Sequence, residues 1–213
     1  MVAKNLQSQS IEAYEKQLDA NPRWAMSEGS EFFEGKGKVQ QTLRKIAKRL
    51  NELHIPYSIV GGMALFQHGH RRFTEDIDLL VTADGLVQIH IALDGLGYLR
   101  SFENSRHLRD TETGVRIEFL VTGDFPGDGK PKPVAFPEPI SASFEADGIR
   151  FLNLDVLIEL KLASGLSNAG RLKDLADVIE LIRRLNLPLA FADHLNEYVR
   201  SKFIELWHAA QID

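Results

Sequence analysis

Between Ile59 and Val81 the chain reads IVGGMALFQHGHRRFTEDIDLLV, and this stretch holds the residues best suited to chemistry. Asp76-Ile77-Asp78 opens an apolar run. Side chains alternate along a strand, so both carboxylates fall on one face and Ile77 on the other. Two like charges at that spacing repel, and an apolar strand tolerates them when a divalent cation sits between them. Hard oxygen donors suit Mg²⁺, which binds through a few carboxylates together with substrate phosphates. The same pair at a solvated strand end would need no ion.

A third carboxylate lies further along. In Val115-Arg116-Ile117-Glu118-Phe119-Leu120, Ile117 and Phe119 share one face while Arg116, Glu118 and Leu120 share the other. If this strand lies beside the Asp76–Val81 strand, Glu118 joins the same cation site. Phosphoryl transfer with two metal ions uses such a set, with one group near the attacking oxygen to deprotonate it. No spacing rule fixes the partner strand, so Glu118 also fits an ordinary exposed strand position. Upstream, Gly61-Gly62 marks the point where a strand breaks into a helix. Glycines there let a ligand approach the backbone, and the N–H groups and dipole of a helix start favour an anion such as a triphosphate. A tight turn explains the same two glycines equally well.

The elements that must position these groups follow from periodicity. Ile11–Leu18 is weakly amphipathic, and Asn21-Pro22 after it reads as a turn. Val39, Leu43, Ile46, Ala47, Leu50 and Leu53 recur at helical spacing until Pro56 ends the helix. Tyr57–Val60 is a short strand, Met63–Gln67 a short helix that Gly69 can end, and Ile77–Thr82 a second strand. Asp84 is placed to cap a helix running to about Leu96; Tyr98–Phe102 and Val115–Val121 read as strands around a polar turn at Asp110–Gly114. Residues 123–139 hold five of the eight prolines and three glycines, which reads as one long exposed loop. Phe144–Leu152 is a hairpin with Asp147-Gly148 at its turn. After Asn153 the chain is helical, over Leu154–Leu162, Arg171–Leu185 and Phe191–Ala209. The expected organisation is a helical arm at 1–36, a core of strands and helices at 37–155, and a helical C-terminal region at 156–213.

Composition bounds the function. With 213 residues, 44% hydrophobic and 26% charged, the chain is of globular type and long enough for one domain with a helical appendage. Cysteine is absent, which excludes disulfides, thiolate zinc sites and a cysteine nucleophile. No apolar run approaches the roughly 18–20 residues of a membrane helix, and the first residues lack the apolar core of a secretory signal. A soluble, cytoplasmic protein with no membrane partner is the expectation. The formal net charge of −5 argues against a protein that coats nucleic acid. Two basic groups, Arg44–Arg49 and His68–Arg72, leave a local RNA contact open, although a solvated helix face accounts for the first. His68 and His70 lack a zinc-type spacing and read as surface residues. Ser58, Ser164 and Ser167 have no visible His/Asp partners, and Trp24 and Trp207 read as packing residues.

Gly61-Gly62 followed by Arg72-x-Thr74-x-Asp76-x-Asp78 resembles the signature of the polymerase-beta-like nucleotidyltransferase superfamily, and the longer pattern looks most like the AbiEii-type abortive-infection toxins. The resemblance continues in the C-terminal helices, with Lys161 and then Arg171-Leu172-Lys173-Asp174-Leu175-Ala176-Asp177. It implies an α+β nucleotidyltransferase fold, a mixed β-sheet flanked by helices with a helical C-terminal part. It also implies an enzyme that binds NTP with two Mg²⁺ and transfers NMP to an acceptor hydroxyl. Asp76, Asp78 and Glu118 would be the catalytic metal ligands, and Glu118 stands where the family commonly has Asp. Gly61, Gly62, Arg72, Thr74, Lys161, Lys173 and Asp174 would hold the nucleotide and its phosphates. The acceptor would be RNA such as tRNA, as in toxin-like relatives with a cognate antitoxin, or a small hydroxylated molecule of the antibiotic type. A non-catalytic nucleotide- or partner-binding module of the same fold is the other reading.

Overall fold

The computed structural model describes residues 11–103 and 105–212. The expected helix at Ile11–Leu18 is α1, Tyr14–Ala20, and residues 1–10 of the arm lie outside the described residues. The break at Asn21-Pro22 separates two helices: Asn21 is the non-helical residue after α1, and α2, Pro22–Phe33, starts directly behind it. The Asn21 side chain accepts the Trp24 backbone N–H at 3.1 Å, and Pro22 occupies the first helical position, where its missing N–H costs nothing. Helix α3, Lys38–Glu52, carries the apolar stripe read from its spacing.

Seven strands form one mixed sheet: β1 (Tyr57–Ile59), β2 (Asp76–Val81), β3 (Tyr98–Arg100), β4 (His107–Asp110), β5 (Arg116–Val121), β6 (Ser143–Ala146) and β7 (Ile149–Leu152), in the spatial order β3-β4-β5-β2-β1-β7-β6. Strand β4 was not expected, because Leu108 is the one apolar side chain in its four residues. β2 pairs parallel with β5 and antiparallel with β1, so it lies at the centre of the sheet. Helix α4 (Gly61–Gln67) follows β1, and α5 (Ala83–Leu93) follows β2. The cap of α5 is Thr82 rather than Asp84: the Thr82 hydroxyl accepts the Gly85 N–H at 3.0 Å, and Asp84 sits in the first turn, where its charge suits the dipole.

Period two divides the central strands cleanly. Ile77, Leu79, Val81, Ile117 and Phe119 face a core shared with Tyr14, Phe32, Val39, Ile46 and Leu50 of the first three helices and Ile89 and Leu93 of α5. Leu80 faces the other way, into a second core built by α4 and by α6 (Leu154–Ser167), α7 (Leu172–Leu185) and α8 (Glu197–Ala210). The C-terminal run expected as one helix over Phe191–Ala209 divides into a 3-10 segment, Leu189–His194, and α8. Asn196 causes the break by capping α8, its side chain accepting the Tyr198 N–H at 3.0 Å. The face carrying Asp76, Asp78 and Glu118 is therefore the one the C-terminal helices approach.

Residues 123–139 contain no strand or helix, yet they are not a freely exposed loop. Pro126, Val134 and Pro139 are buried, and reciprocal backbone bonds join Gly123 to Phe136 and Phe136 to Asp124. At Gly127, with φ +79°, a Cβ would lie 2.0 Å from Ser167 Oγ and 2.9 Å from the Ser164 carbonyl oxygen. Only glycine lets the loop press this closely on α6.

Candidate active site

Asp76 and Asp78 project from one face of β2, and the parallel register places Asp76 opposite Arg116 and Asp78 opposite Glu118. One carboxylate oxygen from each of Asp76, Asp78 and Glu118 lies within 4.8 Å of the other two. The conditional placement of Glu118 is thus met by strand pairing. Asp76 is fully engaged: Thr74 Oγ1 donates to its Oδ1 at 3.0 Å, and Arg116 Nη2 donates to its Oδ2 at 3.0 Å. Glu118 has Arg116 at 3.7 Å and the His107 ring at 4.0 Å. Asp78 has no side-chain hydrogen bond or ion pair among the described residues, and it is half-buried. Burial first, then the charges of Asp76 and Glu118, push its carboxyl up to about 7.

The glycine pair beside the triad is also required by the protein's own side chains. Gly61 has φ +56°, and a Cβ on it would lie 1.7 Å from Asp78 Oδ2. A Cβ on Gly62 would lie 2.7 Å from both Cβ and Oγ1 of Thr74. The glycines are needed so that the protein's own Asp78 and Thr74 can approach the backbone, whatever ligand binds above them. The start of α4 has no side-chain cap at Val60.

Across the cleft stands a second set of charges. Arg72 grips Asp177 with two bonds, Nε to Oδ1 at 2.9 Å and Nη2 to Oδ2 at 3.1 Å. Lys161 Nζ lies 2.8 Å from Asp177 Oδ2 and 2.8 Å from Asp174 Oδ1, whose other oxygen accepts the Ser164 hydroxyl at 2.7 Å. His70 Nε2 lies 3.3 Å from Asp177 Oδ1. Burial alone would raise the Asp177 carboxyl, but Lys161 and Arg72 together hold it below the ordinary range. His68 and His70 are consequently not surface residues. His70 is buried in this network, and the His68 ring contacts the Leu152 carbonyl oxygen at 2.8 Å, with burial lowering its pKa. Trp24 and Trp207 do pack, Trp24 edge-on to Tyr14 and Trp207 with its Nε1 donating to the Leu187 carbonyl.

One cavity of about 760 Å³ runs between the two charge sets. Gly61, Gly62, Arg72, Thr74, Asp76, Asp78, Glu118, Lys161, Lys173 and Asp174 all line it. The residues that the resemblance assigned to metal and nucleotide thus line one cavity. Arg72 and Lys161 meet it already committed to Asp177 and Asp174, whereas Lys173 and Arg171 are exposed and have no ion-pair partner among the described residues. Phe125, Phe136, Leu120, Leu157 and Leu160 form an apolar side. Arg116 was legible as a neighbour of Glu118 on the same strand face, since it lies two residues before it. Asp177 stood in the quoted helix segment but reads there as an ordinary helix ion pair. The contribution of the 123–139 loop carried no signal beyond its length.

Hard carboxylate oxygens at this spacing, with Asp78 unpaired and resisting ionisation, fit a divalent cation of the Mg²⁺ type. No family model matches the sequence, and no curated protein matches it. Among solved structures the chain is similar to the antibiotic-resistance factor ANT(2'')-Ia, with 17% identity and a TM-score of 0.51 over 80% of this chain and 96% of that one. It is also similar to an antigenic nucleotidyltransferase-like protein from Paracoccidioides brasiliensis, with 17% identity and a TM-score of 0.48 over 68% of this chain and 75% of that one. No helix among the described residues is long and apolar enough to cross a membrane. The mixed sheet flanked by helices has the nucleotidyltransferase fold.

Proposed function

We propose that this protein is a nucleotidyltransferase that moves NMP from NTP to an acceptor hydroxyl. The observation that carries the reading is the in-register pairing of Asp78 with Glu118 beside Asp76, on the floor of a cavity that also holds unpaired cationic side chains. Asp76, Asp78 and Glu118 would hold the divalent cation, with two Mg²⁺ as the expected complement. When bound, Mg²⁺ would neutralise charge developing on the transferred phosphate.

The chain's own groups divide the remaining work. Lys173 and Arg171, exposed at the cavity and unpaired among the described residues, would take the β- and γ-phosphates, with the N–H groups of Gly61 and Gly62 beside them. Arg72 and Lys161 would present a fixed positive field, since their carboxylate partners hold them in place. Thr74 orients the Asp76 carboxylate through its hydroxyl bond. The acceptor oxygen attacks the α-phosphorus, its proton passes to Glu118, and the bond from the α-phosphorus to the bridging oxygen breaks to release pyrophosphate. Nearly all of the acceleration comes from positioning and fixed charge.

A small hydroxylated acceptor is favoured over RNA by the state of the two basic groups. Lys45 is paired with Asp110 and Glu112, and both Lys48 and Arg49 with Glu52. In the second group Arg72 is held by Asp177, and Arg71 lies over the Phe66 ring. Among the described residues Arg44 is the one arginine or lysine of these two groups with neither an acidic nor an aromatic partner, so few free charges are left there to track a phosphate backbone. The finer likeness to AbiEii-type toxins, with an RNA acceptor and a cognate antitoxin, rests on the two sequence motifs and is the second reading. Residues 37–155 would form the nucleotidyltransferase core, with 156–213 closing the site.

Incubating the protein with each α-labelled NTP and Mg²⁺, against total RNA and a panel of hydroxylated small molecules, tests the proposal. Label on a small molecule supports the favoured acceptor, and label on RNA replaces it with the second reading. Tight NTP binding that is indifferent to Mg²⁺, with no label transferred, would make the chain a non-catalytic module.

A further inference from the structure

Arg116 is a guanidinium set inside the carboxylate group, and its position follows from strand register. It pairs with Asp76 across the β2–β5 ladder and lies two residues before Glu118, so it shares their face of the sheet. Its Nη2 is 3.0 Å from Asp76 Oδ2 and 3.7 Å from Glu118 Oε2. Asp76 Oδ1 is already taken by the Thr74 hydroxyl. A divalent cation that uses Asp76 and Glu118 must therefore share or displace a charge that never deprotonates. The Arg116 side chain is 41% exposed, and among the described residues these two carboxylates are its ion-pair partners. It also lines the cavity in which the nucleotide phosphates would lie.

We propose that Arg116 is a built-in counter-ion that holds Asp76 and Glu118 in the resting protein and transfers to the nucleotide's phosphates on binding, so that divalent-metal affinity is coupled to nucleotide binding. The inference rests on the nucleotidyltransferase reading of the triad. Its logic is exchange. Arg116 leaves two carboxylates, the metal replaces it there, and the phosphates supply the anionic partner that the freed guanidinium would otherwise lack. Each ligand removes a cost that the other would meet alone, which is positive coupling between them. Arg116 acts here as a positioning residue, through the carboxylates it releases. A solvated surface arginine would predict no such coupling, because an exposed ion pair contributes little and yields readily to a divalent ion.

Mn²⁺ is a suitable probe, because the free ion can be counted directly by electron paramagnetic resonance. Titrations use the wild type, Arg116→Gln and Arg116→Lys, first with Mn²⁺ alone and then with an NTP analogue whose α–β bridge cannot be cleaved. Arg116→Gln should bind Mn²⁺ alone at least tenfold more tightly than the wild type. The analogue should tighten Mn²⁺ binding strongly in the wild type and much less in Arg116→Gln. Arg116→Lys keeps the charge and should stay near the wild type, which also guards against a glutamine variant that folds poorly. Equal Mn²⁺ affinity of wild type and Arg116→Gln without nucleotide would overturn the inference while leaving the triad as a metal site. Failure of all three proteins to bind Mn²⁺, with or without the analogue, would instead overturn the nucleotidyltransferase reading itself.

Discussion

Two clusters of charge face each other across the cavity, and they are built on opposite principles. On the sheet side, Asp76, Asp78 and Glu118 bring three carboxylates together with Arg116 as their close guanidinium, and Asp78 is left with no partner among the described residues. On the helix side, Asp174 and Asp177 are matched by Lys161 and Arg72, with Ser164 and His70 completing the contacts. The matched cluster joins the segment before β2 to α6 and α7, so its energy belongs to folding and to holding the two sides at a fixed separation. The unmatched cluster gains nothing for the fold from its excess negative charge. Such a charge excess is retained where a ligand completes it. The contrast separates what positions the site from what the site is for.

The largest effect expected on stability comes from the matched side. Asp177→Ala would leave the part-buried Arg72 and the buried Lys161 without their shared carboxylate, at a cost of about 3–5 kcal/mol. Urea denaturation measures it directly. A loss below about 1 kcal/mol would mean that solvent already screens this network and that it does not fix the cleft.

Next in size is Gly62→Ala, which places a Cβ 2.7 Å from the Thr74 Cβ and Oγ1. Over-packing at this contact should cost about 1–3 kcal/mol. It should also disturb the Thr74 hydroxyl that orients Asp76, so stability and metal affinity should fall together. Unchanged stability with weakened nucleotide binding would instead return Gly62 to a purely ligand-facing role.

The smallest effect is a difference in the sign of pH dependence. The Asp78 carboxyl is raised from its ordinary 3.8 to about 7 by burial and then by Asp76 and Glu118. The folded state therefore holds a proton that the unfolded chain releases, and Asp78 takes stability away progressively as pH climbs from about 4 to about 7. Asp177 is lowered, so its contribution is complete above 3.8 and fades only as pH falls below that value. In metal-free protein, the stability difference between Asp78→Asn and wild type should grow in favour of the variant between pH 4.5 and 7.5. A difference that stays flat across that range would show that Asp78 ionises normally.

How far the site was legible in the sequence depends on whether a signal was local. Asp76-x-Asp78 and Glu118 could be placed on strand faces because period two needs only a few residues. Their meeting depended on β5 lying beside β2, which is a property of topology and invisible to spacing. Asn21-Pro22 marked the break after α1 but not the helix that starts there, because the same dipeptide that opens a turn also supplies an N-cap and a first helical residue. Proline density in 123–139 correctly excluded regular structure but wrongly implied exposure, because its burial arises from contacts with α6 far along the chain. Asp177 reads as half of a helix ion pair with a neighbour three or four positions away, while its partners, Arg72 and Lys161, come from other elements. The glycine pair was found as a site where a ligand could approach the backbone, and the close approach of Asp78 and Thr74 to it depends on long-range packing that spacing does not show.

The central claim is that the acidic cluster exists for a metal-bound nucleotide, and Asp78→Asn tests it most directly. The substitution keeps the shape of the side chain and removes one charge from a repelling set. Thermal denaturation of the wild type and of Asp78→Asn, each with and without Mg²⁺ and NTP, gives the answer in one experiment. Binding to the folded state raises its apparent stability, so the wild type should melt at a higher temperature when both ligands are present. Asp78→Asn should melt without ligands at the wild-type temperature or slightly above it, and should gain nothing when Mg²⁺ and NTP are added. A variant that melts early without ligands, yet is stabilised by Mg²⁺ and NTP as much as the wild type, would contradict the account.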